Sequence, residues 1–155
     1  MSGSPLVIEY LNLTKEYQSK YGESTIVLMQ VGAFFEMYGL KTSNTIKGSS
    51  ILEVCNICQL NISDKKICVG KDEVVMAGFR DYTLDKYILK ITEAGYTVAV
   101  YIQEKNNKLV SRTLCSIYSP GTYISYDTDS SPQITNNIIC IWIDVIKSLR
   151  SVKEN

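Results

Sequence analysis

Histidine is missing from all 155 residues of this chain. With it go the commonest general base, the commonest metal ligand and every Ser-His or Cys-His nucleophile pair. Catalysis is therefore the less favoured class of function. A surplus of positive charge is missing too: 16 Lys and Arg balance 16 Asp and Glu. No global basic footprint announces a nucleic-acid partner, so any such role has to rest on shape and local contacts. No apolar run approaches the roughly 18 residues of a membrane span, and no charged-then-apolar leader opens the chain. The expectation is a soluble, intracellular protein with no membrane partner. No Gly-x-x-x-x-Gly-Lys phosphate loop and no internal repeat occurs. The five cysteines are an odd number without an extracellular signal, which points to reduced thiols. Cys55 and Cys58 form a Cys-x-x-Cys, but no second pair follows at metal-ligand spacing. They read as structural, and neither a metal site nor a catalytic residue is expected.

What is present centres on the run Val31-Gly32-Ala33-Phe34-Phe35-Glu36-Met37-Tyr38, where a carboxylate sits among bulky apolar side chains. In an extended run successive side chains alternate faces, so Phe34, Glu36 and Tyr38 share one face while Phe35 and Met37 point to the other. An exposed aromatic two residues from an exposed carboxylate gives a flat surface able to stack, beside an acceptor able to hydrogen-bond whatever is stacked. A plainer reading puts both Phe rings in the core and makes Glu36 an edge charge that discourages aggregation. Alternation alone leaves both open.

The length suits one domain with a core of ordinary size. Ser4-Pro5 opens a helix in which Leu6, Tyr10, Leu13, Tyr17 and Tyr21 recur at helical spacing as a core stripe, until Gly22 stops it. A strand over 25–31 then pairs with the key run as a tight hairpin at Gly32. Ser49 or Ser50 caps a short helix carrying Ile51, Leu52, Cys55 and Cys58. Residues 60–69 suggest two strand pieces around a solvent-facing tip at Lys65 and Lys66, usually a hydrated turn but suited to phosphate contacts in a DNA-binding protein. A strand follows over 74–79, and then a helix capped by Thr83 with Leu84, Tyr87, Ile88 and Ile91 on one face. Strands over 97–103 and 109–118 close the domain at Ser119-Pro120-Gly121-Thr122. The Asp-, Ser-, Thr- and Asn-rich stretch 126–137 reads as a linker. The apolar run 138–146, with Trp142, reads as a strand without a domain of its own.

Several strings fall in the order and approximate spacing of one family: Tyr10-Leu11, the run 31–38, Met76-Ala77-Gly78, Tyr87-Ile88-Leu89-Lys90, Gly95-Tyr96-Thr97-Val98-Ala99-Val100 with Gln103-Glu104, and Ser119-Pro120-Gly121-Thr122. Taken together they resemble the N-terminal, mismatch-recognition domain of the MutS mismatch-repair proteins. The resemblance runs from about Ser4 to Ile124. No single string is specific; the ordered set is. It implies an α/β domain with a mixed central sheet flanked by helices over 5–125, a linker over 126–137, and over 138–155 the first strand of a truncated connector domain.

The family's Phe-x-Glu pair falls on Phe34 and Glu36. In the family the Phe enters the minor groove and stacks on a mispaired base, the Glu hydrogen-bonds that base, and the duplex kinks. Inserting a wedge costs a few kcal/mol of unstacking, less where pairing is already defective, so a mismatch is detected as softness. By the same resemblance Lys65, Lys66 and Arg112 are expected to contact the DNA backbone. The partner implied is double-stranded DNA with mismatches, the parent protein is expected to be a dimer, and ATP with magnesium belongs to the parent, this chain holding no cofactor. Bacterial members usually have Gly-Asp where this chain has Gly32-Ala33, and Pro and His soon after Met-Ala-Gly where it has Phe79-Arg80-Asp81-Tyr82. The Lys-, Asn-, Ile- and Tyr-rich composition suggests an AT-rich genome, of a large virus or an organelle. The alternative is a protein-interaction or scaffold domain that keeps the fold and turns the Phe34 surface against a protein.

Overall fold

A computed structural model describes residues 4–43, 45–106, 109–123 and 140–144. Helix α1 (Pro5–Tyr21) leads into β1 (Thr25–Val31), β2 (Phe34–Thr42) and the short β3 (Thr45–Lys47). Helix α2 (Ile51–Cys58), β4 (Ser63–Val69) and β5 (Asp72–Arg80) follow; a 3-10 turn at Asp81–Thr83 enters α3 (Leu84–Glu93), and β6 (Thr97–Asn106) and β7 (Leu109–Tyr118) end the series. The seven strands form one sheet in the order β4-β5-β2-β1-β6-β7, with β3 beside β2. Among the described residues only β1 and β6 run parallel, joined across the chain by the intervening elements; the other pairs are antiparallel. The fold is thus the expected α/β domain with a mixed sheet.

Opposite faces of β2 carry different helices. Tyr38 meets Tyr10 of α1 edge to face at 5.1 Å, whereas Phe35 stacks on Phe79, which stacks in turn on Tyr87 of α3. The core follows: Ile26, Leu28, Phe35, Met37, Val54, Ile88, Ile91, Val98 and Val100 are all buried, and burying such side chains drives the fold at about 1.5–3 kcal/mol each. Gly39 on β2 permits α2 to approach, because a Cβ there would lie 2.8 Å from both Ile46 and Ile51.

The expected helices and most strands are where the patterns put them, with four differences. The buried stripe of α1 is Val7, Tyr10, Thr14 and Tyr17; Leu6 and Leu13 are only partly covered and Tyr21, in the last turn, is exposed against Tyr17. Thr14 fits the core because its hydroxyl donates back to the Tyr10 carbonyl at 2.9 Å, the usual way a helical Thr satisfies itself. The caps are in place but make other bonds: Ser50 Oγ donates to the Glu23 carbonyl and Thr83 Oγ1 to the Arg80 carbonyl. Residues 63–69 form one irregular strand, not two pieces around a tip. A register shift between Asp64 and Cys68, with Lys66 at φ 56°, takes up two extra residues on β4 as a bulge. Strand β3, within a polar stretch, had no apolar pattern to reveal it. The 126–137 linker lies outside the described residues. Of 138–155 only Cys140–Asp144 is described; it has no regular structure, and Ile141, Trp142 and Ile143 are exposed there.

Candidate nucleic-acid interface

The β1–β2 hairpin turns through Gly32, whose φ of 62° belongs to the left-handed region that glycine enters freely. Its tip is tied from both sides. The Ala33 carbonyl accepts the Asp81 N–H at 3.0 Å, and the Gly32 N–H donates to Gln103 Oε1 at 3.0 Å. Gln30 adds two more bonds, its Oε1 accepting the Gln103 N–H and its carbonyl accepting Arg112 Nε at 2.9 Å. The residue that follows this anchored turn is Phe34, 41% exposed, while its neighbour Phe35 is 2% exposed. Alternation along β2 therefore holds in the expected register, and the reading that buries both rings is set aside.

Strand register places the neighbours of Phe34. Arg80 of β5 stands opposite it, with its guanidinium carbon 5.1 Å from the ring centroid, a cation–π distance. Two residues along, Glu36 pairs with Gly78. A Cβ at Gly78 would lie 2.7 Å from the Phe35 carbonyl and in ordinary contact, 3.4 Å, with Glu36 Cγ, so the glycine permits the close approach of β5 to β2 at this point. The carboxylate is held: Lys65 Nζ donates to Oε2 at 2.8 Å, and the Tyr38 hydroxyl donates to the same oxygen. Lys65 Nζ also lies 3.1 Å from Tyr38 Oη and 4.5 Å from the centroid of its ring. Burial, and then the bond to the Glu36 carboxylate, push the Tyr38 phenol well above its ordinary value, so it stays a proton donor.

Of the five residues singled out from sequence, three converge here. Phe34 and Glu36 stand two residues apart on one face of β2, and Lys65 reaches Glu36 there. Lys65 is not the solvent-facing tip expected; the bulge turns it inward against Glu36, leaving its side chain 24% exposed. Arg112 pairs with Gln103 on β6, and stepping by register through Tyr101 and Met29 to Glu36 puts it on the same face, three strands away. Lys66 is exposed on β4, and the structure does not bring it into contact with the cluster.

Two participants were missed from sequence. Arg80 lies one residue beyond the strand expected over 74–79; continuing the alternation of Met76 and Gly78 by one step would have found it. Tyr38 was placed on the right face but given no role. The cluster offers an open aromatic ring, one carboxylate and cations at β4, β5 and β7. It offers no nucleophile beside a base, and among the described residues no three His, Cys, Asp or Glu stand close enough to share a metal ion. Cys55 and Cys58 lie on the buried face of α2, and burial pushes both thiols up to about 11. Among the described residues no helix is long and apolar enough to cross a membrane.

A family model described as MutS domain I matches residues 4–127. The chain is 28% identical over 146 residues to a mutS-homologue DNA mismatch repair protein of Acanthamoeba polyphaga mimivirus, covering 94% of this chain and 13% of that protein. It is 30% identical over 133 residues to a mitochondrial DNA mismatch repair protein mutS homologue of Sarcophyton glaucum, covering 74% and 14%. To the DNA mismatch repair protein MutS of Parabacteroides distasonis it is 31% identical over 126 residues, covering 79% and 13%. The chain thus spans 13–14% of the length of these curated relatives.

Proposed function

The chain belongs to the MutS domain I family, and from that premise we propose that it is the mismatch-recognition domain of a MutS-like repair ATPase, with no catalysis of its own. Phe34 enters the minor groove at a mispaired base and stacks there, and Glu36 hydrogen-bonds the displaced base. The observation that carries this reading is the split between two adjacent rings: Phe34 is 41% exposed at a rigidly tied hairpin and Phe35 is 2% exposed. An anchored ring loses little freedom on insertion, and Arg80 beside it places a cation where the duplex backbone has to pass. Arg80 and Arg112 supply phosphate contacts on this face, and Lys66 a further one from β4. So few cations give the isolated chain weak affinity for duplex DNA with a shallow salt dependence. ATP and magnesium are used elsewhere in the parent, which works as a dimer inside the cell.

A duplex carrying a fluorescent adenine analogue beside a single mismatch tests this. Insertion unstacks the analogue, so adding the chain raises its emission on the mismatched duplex and leaves the fully paired one unchanged. No rise at saturating chain would mean that the Phe34 surface serves a protein partner instead.

A further inference from the structure

We propose that Tyr38 and Lys65 are positioning residues for Glu36, holding its carboxylate by Oε2 and leaving Oε1 as the oxygen offered to a displaced base. This rests on the reading of Phe34 and Glu36 given above and adds what presents the carboxylate.

Two donors converge on one oxygen. Lys65 Nζ reaches Oε2 at 2.8 Å and the Tyr38 hydroxyl reaches it as well, while Oε1 has no hydrogen-bond partner among the described residues. The holder is itself held. Tyr38 is fully buried, its ring fixed edge to face against the equally buried Tyr10 of α1. Rigid packing therefore runs from α1 through Tyr10 and Tyr38 to the carboxylate, and a carboxylate fixed in advance forfeits less freedom when it bonds a base. Gly78 lies opposite Glu36 on the other strand, where a Cβ would lie 2.7 Å from the Phe35 carbonyl, so glycine lets β5 close on β2 beside the carboxylate.

The pairing also resolves a charge problem. A bare carboxylate beside DNA repels phosphates, and the Lys65 ammonium neutralises it at 2.8 Å. One ammonium facing inward onto Glu36, with its side chain only 24% exposed, is not spent on a phosphate. Lys65 thus acts through the Glu36 carboxylate, which it holds and neutralises, and not through a phosphate of its own, which replaces the phosphate role expected from sequence. Tyr38 is the sharper case: a buried hydroxyl does not touch DNA, so any effect of removing it on mismatch preference is transmitted through Glu36.

The test measures affinity of the full chain for a paired duplex and for one with a single mismatch, across a range of salt. Tyr38→Phe lowers mismatch preference by about two- to tenfold, the span of one ordinary hydrogen bond, with the slope of log affinity against log salt unchanged; Lys65→Met lowers the preference by a similar factor and, by baring the carboxylate, also weakens both duplexes. Lys65→Arg keeps the preference. If Lys65→Met weakens both duplexes equally and leaves the mismatch preference unchanged, Lys65 is a phosphate contact and the proposal falls. If Tyr38→Phe melts early, Lys65→Met decides, because its site is on an edge strand and partly open. Phe34→Ala separates the two levels of argument. Loss of preference in Phe34→Ala with full preference in Tyr38→Phe and Lys65→Met overturns the positioning role alone; retained preference in Phe34→Ala overturns the wedge and the positioning role with it.

Discussion

Arg80 and Phe34 face each other across β5 and β2, the guanidinium carbon 5.1 Å from the ring centroid. The cation lies over the ring that is proposed to insert, and on that proposal it would meet the backbone flanking the insertion point. Arg80→Ala should weaken binding to paired and mismatched duplexes alike and reduce the salt slope by about 1, as expected for one lost phosphate contact. Anisotropy titrations across salt measure both. A loss confined to the mismatched duplex would show that Arg80 acts on the base instead.

Phe35 and Phe34 should separate stability from recognition. Phe35 is buried against Phe79, so Phe35→Ala leaves a cavity and costs about 3–5 kcal/mol. Phe34→Ala removes an exposed ring and one cation–π contact, about 0.5–1 kcal/mol. Urea unfolding of the two variants measures the difference. Equal losses would place both rings in the core.

The fold should weaken in alkali. Burial raises the Cys55 and Cys58 thiols from 9.0 up to about 11, and it raises the phenols of Tyr10, Tyr38 and Tyr101 above their ordinary 10.0. Each group holds its proton more tightly folded than unfolded, so its contribution is fully present below the unfolded value and is lost as pH climbs through the folded one. Melting temperature should therefore hold steady up to about pH 9 and fall between about pH 9 and 11 as the thiols lose their share, with the tyrosines extending the loss beyond. A melting temperature that stays flat through about pH 11 would show that these groups are not protected by the fold.

Which of the two adjacent rings is open was not written into alternation and was implied by the family resemblance, whereas the hairpin and the sharing of one face by Phe34 and Glu36 were legible because alternation is a local property. The ordered strings carried the fold for the same reason. What was not legible depended on contacts far apart in sequence. Lys65 lies 29 positions from Glu36, and its direction is set by a bulge on β4 that no period-two pattern reveals. Tyr38 looked like a third residue on a useful face until α1 packed Tyr10 against it. Arg80 was lost to a strand end drawn one residue short, and β3 because its pairing with β2, not its own side chains, makes it a strand.

The proposed roles, Phe34 reading the mismatch and Glu36 refining the reading, predict a pattern of affinities. Affinities of wild type, Phe34→Ala and Glu36→Ala for a paired and a singly mismatched duplex, at one salt concentration, test it most directly. Phe34→Ala should erase most of the preference, through loss of stacking worth about 1–3 kcal/mol per base. Glu36→Ala should lower the preference while binding to paired DNA holds or rises, since a negative charge is gone and Lys65 is released. Full mismatch preference in Phe34→Ala, with the fold intact, would contradict the account.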